Sequence, residues 1–80
     1  MRHPEMWRQI GLNIMFIRKQ KKLTQMALAE RCRGQGDDCR ISRNYLQRIE
    51  TGVSSCTLDT LIDIAEALEV PLIRLLEING

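Results

Sequence analysis

The sequence predicts an all-α fold of five short helices, and three observations carry that expectation. Apolar residues recur at three- and four-residue intervals through most of the chain, as one face of a helix requires. Ser, Thr or Pro stands where such stripes begin, and Gly stands where one of them stops. Leu, Ile and Ala are plentiful while the aromatics are few (Trp7, Phe16 and Tyr45), a composition that favours helices over a β-sandwich.

The first helix opens near Pro4, a residue suited to a first turn, and runs to about Gln20 or Lys21. Trp7, Ile10, Ile14 and Ile17 form its inward stripe, and Arg18, Lys19, Lys21 and Lys22 gather at the end where cations suit the dipole. Leu12 and Phe16, flanked by Met15, form a second apolar pair about 180° away, which signals a partner, a covering segment or nothing. Thr24 caps the second helix, which turns Leu28, Ala29 and Cys32 inward and ends by about Arg33; Ala27 at its third position excludes a capping box. Gly34 to Arg40, GQGDDCR, has no periodicity and reads as a loop. Ser42 caps the third helix, which carries Tyr45, Leu46 and Ile49 inward or sideways and stops at Gly52. Thr57 caps the fourth, whose stripe is Leu58, Leu61, Ile62, Ala65 and Leu68, and Pro71 opens a last helix through Leu72, Leu75 and Leu76.

Eighty residues allow a single domain, 1–80. A chain this short buries only about 60% of its unfolded surface, so dimerisation is a natural source of further stability. Residues 1–48 hold eleven Lys or Arg against four acids, giving +7, whereas residues 49–80 hold only Arg74 against six acids, giving −5. That asymmetry implies a polyanion partner for the first half, although ordinary solvated helix faces give the same count. No run of about 18 apolar residues spans a membrane, and MRHPEMWR lacks the apolar core of a secretory signal, so a cytoplasmic protein is expected. Cys32, Cys39 and Cys56 cannot all pair within one chain. Cys32 reads as a small buried hydrophobe, a bridge to Cys39 is sterically open, and a zinc site using His3 lacks paired ligand spacing. No cofactor is expected. The single His3 and the lack of a nucleophile placed with a base argue against an enzyme.

The third helix is the most informative segment. It places Arg43, Asn44, Gln47 and Arg48 on one exposed side. Arg and Asn are the side chains whose forks match guanine and adenine edges, and a helix is the element that fits the major groove. The same polar set on its own is also consistent with plain solvation.

Over about residues 10 to 76 the chain resembles the helix-turn-helix domain of the phage repressor and Cro group, the XRE family of bacterial regulators. The carriers are IGLNIMFIRKQKKLTQ entering the second helix, LAE within it, ISRNYLQRIETG through the third, and TLDTLIDIAEALEVPL for the last two. The resemblance implies five helices, a third helix lying in the major groove, and a sequence-specific regulator of transcription. It places Ser42, Arg43, Asn44 and Arg48 at base-contacting positions and Gln47 at an edge position, with Arg43 the first choice for guanine. It implies that Gln25, with Thr24 beside it, meets a phosphate and steadies a side chain of the third helix. Arg18 and Glu50 match a structural ion pair. Tyr45 packs, with a phosphate contact as a minor role.

Two departures stand out. Eight residues, Arg33 to Arg40, separate Cys32 from Ile41, where the family has three or four. The expectation is a bulge that keeps Asp37 and Asp38 off the phosphates, so that deleting Gly34 to Asp38 leaves affinity unchanged or improved. After Gly52 the family often has basic residues, whereas this chain has Val53, Ser54 and Ser55, whose hydroxyls and amides are left to meet phosphate. Modest affinity per monomer implies a homodimer on a twofold site, through the Leu12 and Phe16 stripe or through Leu76 to Ile78. The rival reading is a protein-interaction module, or an antitoxin-type regulator, on the same fold.

Overall fold

Among the described residues, 2–33 and 41–77, the computed structural model shows five helices and no strand: α1 (Pro4–Gln20), α2 (Gln25–Arg33), α3 (Arg43–Glu50), α4 (Leu58–Leu68) and α5 (Ile73–Leu76). The expected loop Gly34 to Arg40, with Cys39, and the terminal Ile78 lie outside the described residues.

The local signals explain where the helices start. Pro4 is in the first turn of α1, where its missing N–H is no loss. Thr24 Oγ1 accepts from the amide of Ala27 at 3.0 Å, Ser42 Oγ from Tyr45 at 3.0 Å, and Thr57 Oγ1 from Thr60 at 3.2 Å. Three helices end alike. After α3 the amides of Val53 and Gly52 return to the carbonyls of Arg48 and Ile49 at 2.9 and 3.1 Å, with Gly52 at φ 77°. The same double return closes α1 at Lys22 (φ 59°) and α4 at Glu69 (φ 60°). Only the first carries the glycine that sequence reasoning looks for; Lys22 and Glu69 take the left-handed conformation at roughly 1 kcal/mol or more each.

One apolar cluster joins all five helices. Ile10, Ile14 and Ile17 from α1 meet Leu28 and Cys32 from α2, Leu46 and Ile49 from α3, and Leu75 from α5. In α4 the inward face differs from the expected stripe. Leu58 is 58% exposed and Ile62 half-buried, while Ile64 and Ala67, outside that stripe, are buried. The reason is local: Leu58 is the first residue of the helix, before it reaches the core, and the remaining turns direct Leu61, Ile64, Ala65 and Leu68 inward. Trp7 is half-buried at the cluster's edge. The last helix is one turn long, starts two residues after Pro71 and buries Leu75, leaving Leu76 37% exposed.

Gly11 sets how α1 meets α3. A Cβ there would collide with the carbonyl oxygens of Ile49 and Glu50, the latter 2.6 Å away, so only glycine lets α1 approach the end of α3 so closely. The far end of the chain is also tied to α1. Asn13 Nδ2 donates to the carbonyls of Leu75 at 3.0 Å and Glu77 at 2.6 Å, and its Oδ1 accepts from Gln9 at 3.1 Å. No sequence signal singled out either residue.

Candidate nucleic-acid interface

The outward surface of α3 consists of polar side chains. Arg43, Asn44, Gln47 and Arg48 are all exposed, and at about 100° per residue they occupy an arc of roughly 140°. Leu46 and Ile49 are fully buried on the other side and fix the helix to the core. The one acid of α3 is Glu50, which is 3% exposed and so contributes no negative charge to the outer face.

Glu50 is held by a bidentate fork. Arg18 Nε donates to Oε2 at 2.8 Å and Nη2 to Oε1 at 3.0 Å, while Nη1 donates to the Leu23 carbonyl at 2.7 Å. One guanidinium thus links α1, the turn leading into α2, and the end of α3. Gln25 Nε2 donates to the same Oε1 at 3.2 Å, which ties the first turn of α2 into the network. The charge is matched and the lone pairs are occupied, as burial of a carboxylate requires. Among the described residues no buried side-chain polar atom lacks a partner.

The ends of α2 and α3 suit an anion. Neither has an acid in its first turn, whereas α1 and α4 carry Glu5 and Asp59 there. The first-turn amides of Gln25 and Met26 have no acceptor within α2, as at any helix start. Thr24 and Ser42 are exposed, and each uses its hydroxyl oxygen to accept the capping amide. The hydroxyl proton remains available to a phosphate or a base acceptor.

Tyr45 is half-buried and lies beside Arg48 and Cys56. Burial raises its phenol above the ordinary value and the Cys56 thiol adds to this, while Arg48 opposes it. Burial also pushes the Cys56 thiol up to about 11. Tyr45 therefore packs at the rim of the α3 face as a neutral phenol. After α3 the geometry narrows the sequence-based options. The amides of Val53 and Ser54 both donate to the Arg48 carbonyl, at 2.9 and 3.2 Å, which leaves the hydroxyls of Ser54 and exposed Ser55 and the amide of Ser55 as the polar groups offered outward. Among the described residues there is no cluster of metal-ligating side chains, and no helix is long and apolar enough to cross a membrane. Cys32, fully buried in α2, belongs to the apolar core.

A helix-turn-helix family model matches residues 14–75, well over half of the chain. No curated protein and no solved structure gives a significant match. The match spans the end of α1, the Arg18 and Glu50 fork, all of α2 to α4, and α5 as far as Leu75. The chain belongs to this helix-turn-helix family, the repressor and Cro-like group of DNA-binding proteins.

Proposed function

We propose that this helix-turn-helix protein is a sequence-specific transcriptional regulator, that α3 reads base edges in the major groove, and that it binds a twofold operator as a homodimer in the cytoplasm. The observation that carries the reading is the acid-free outer face of α3, where Arg43, Asn44, Gln47 and Arg48 project together while Glu50 is withdrawn into the ion pair with Arg18. Arg43 and Arg48 present forked donors for guanine O6 and N7, and Asn44 and Gln47 present the donor and acceptor pair that matches adenine. Ser42, at the helix start, offers its hydroxyl proton to a base. Thr24, the first-turn amides around Gln25, Tyr45, Ser54 and Ser55 meet the backbone on either side and fix the register. The Arg18, Glu50 and Gln25 network holds the angle between α2 and α3 and keeps the only carboxylate of α3 away from phosphate.

The rival use of this surface, docking a protein through α3, differs in its response to salt. Binding of a fluorescent duplex selected from a random pool is measured between 50 and 200 mM salt. With the four exposed guanidiniums of a dimer's two α3 faces, Arg43 and Arg48 of each copy, displacing counterions from the duplex, affinity falls about 10²-fold over that range. An affinity for duplex that hardly responds to salt, or no affinity for duplex at all, rejects the DNA reading.

A further inference from the structure

We infer that two copies of this chain pair through the outer face of α1, antiparallel and centred on Leu12. The inference rests on the homodimer of the proposed operator reading and names the surface that forms it, and its test uses no DNA, so the two can fail separately.

The outer face of α1 lies opposite the buried Ile10, Ile14 and Ile17. Taking Leu12 as the reference and about 100° per residue, Glu5, Arg8, Phe16 and Lys19 fall within roughly 40° of it, with Gln9 and Met15 flanking at about 60°. The face is apolar at its centre, with Leu12 43% and Phe16 61% exposed. Leu12, Met15 and Phe16 line a shallow groove together with Gln9, Asn13 and Lys19. Three apolar side chains grouped in one groove with a polar rim have the character of a contact site.

The order of residues along the strip identifies the occupant. Glu5 and Lys19 lie seven residues on either side of Leu12, Arg8 and Phe16 four, and Gln9 and Met15 three. An antiparallel pair related by a twofold axis at Leu12 sets residue 12−k against residue 12+k of the second copy. Glu5 then meets Lys19 of the second copy, Arg8 meets its Phe16 in a cation and ring contact, Gln9 meets its Met15, and Leu12 meets Leu12. Each contact away from the axis occurs twice and the Leu12 pair once, on the axis itself, as an isologous interface demands. The ring contact is of the favourable Arg and aromatic kind, and antiparallel dipoles add to the fit. Glu5, Arg8 and Lys19 are exposed, and the ion pairs among the described residues, Arg18 with Glu50 and Arg74 with Glu77, use none of them. Their charges are thus available to a second copy. The strip from residue 5 to 19 is only about 21 Å long, so the dimer is weak and concentration-dependent.

Sedimentation equilibrium of the full chain, with circular dichroism to confirm the fold, tests the pairing. The unaltered protein shows a monomer and dimer equilibrium. Glu5→Lys and Lys19→Glu each weaken association about tenfold, since each reversal places two like-charged pairs in the contact. The double variant recovers, and an equal mixture of the two single variants forms the mixed dimer in preference to either homodimer. Phe16→Glu abolishes association. A protein that is monomeric at all concentrations overturns the inference, as does a dimer indifferent to these substitutions, or a double variant as weak as the single ones. Binding of the unaltered protein to a single half-site reports on the operator reading independently of all of these.

Discussion

Replacing Glu50 with Ala removes one carboxylate and three hydrogen bonds: those from Arg18 Nε at 2.8 Å and Nη2 at 3.0 Å, and that from Gln25 Nε2 at 3.2 Å. What remains is a guanidinium whose side chain is 9% exposed and whose other partner is the Leu23 carbonyl. Stranding a buried charge destabilises by about 3 to 5 kcal/mol, against a total stability of about 4 to 12 kcal/mol for a chain of this length. Arg18 retains some solvent contact, so the lower end applies, about 3 kcal/mol, enough to bring the protein close to its folding threshold. Glu50→Gln keeps the shape and one acceptor but loses the charge, and falls by about 1.5 to 3 kcal/mol. The double variant Arg18→Met with Glu50→Leu removes both charges and fills the same space, so it returns to within about 1 kcal/mol of the parent. Urea unfolding followed by circular dichroism reads all three. A loss below about 1 kcal/mol for Glu50→Ala, or a double variant no more stable than the single one, refutes the role assigned to the pair.

Two further perturbations address the placement of α3 and the thiol beside it. Gly11→Ala improves the helix propensity of α1 by nearly 1 kcal/mol, yet its methyl meets the carbonyls of Ile49 and Glu50; the net result is a loss of about 1 to 3 kcal/mol together with weaker duplex binding at temperatures where the variant is folded, and an unchanged melting point would contradict the close approach. Cys56 is protonated at pH 8 because burial pushes its pKa up to about 11 from the ordinary 9.0, and the thiolate is the reacting species. Its alkylation, followed by peptide mapping, is therefore at least about tenfold slower in the folded chain than in urea. The unfolded thiol ionises first as pH rises from 9 towards 11, so the native state loses stability across that window, with Tyr45 acting in the same direction. Equal alkylation rates in the two states would contradict the burial.

Most of the architecture was legible because it rests on local chemistry. Thr24, Ser42 and Thr57 announced helix starts through hydroxyls that bond amides three residues on, and Gly52 announced an end through its positive φ. The end of α1 near Gln20 was legible too, but the left-handed conformations of exposed Lys22 and Glu69 were opaque, because neither residue signals a conformation that it does not prefer. Leu58 misled for a similar reason: periodicity alone does not say which turn of an amphipathic helix lies over the core. At the candidate site, the exposed quartet of α3 followed from spacing, and the Arg18 and Glu50 pairing from the family resemblance. That Gln25 steadies a side chain of α3 also came from the resemblance, and the structure identifies that side chain as Glu50, whereas the clearance at Gly11 and the Asn13 clamp on the chain end depend on contacts between distant parts of the sequence, which no local pattern encodes.

The proposed function stands or falls on whether the outer face of α3 reads bases. Selection of bound duplexes from a random pool, carried out in parallel with the parent protein and with Arg43→Ala, tests it most directly. The parent is expected to select a twofold-symmetric consensus and the variant to show a guanine preference relaxed by about 1 to 3 kcal/mol at one position in each half-site. No enriched sequence for the parent, or an identical consensus from both proteins, would contradict it.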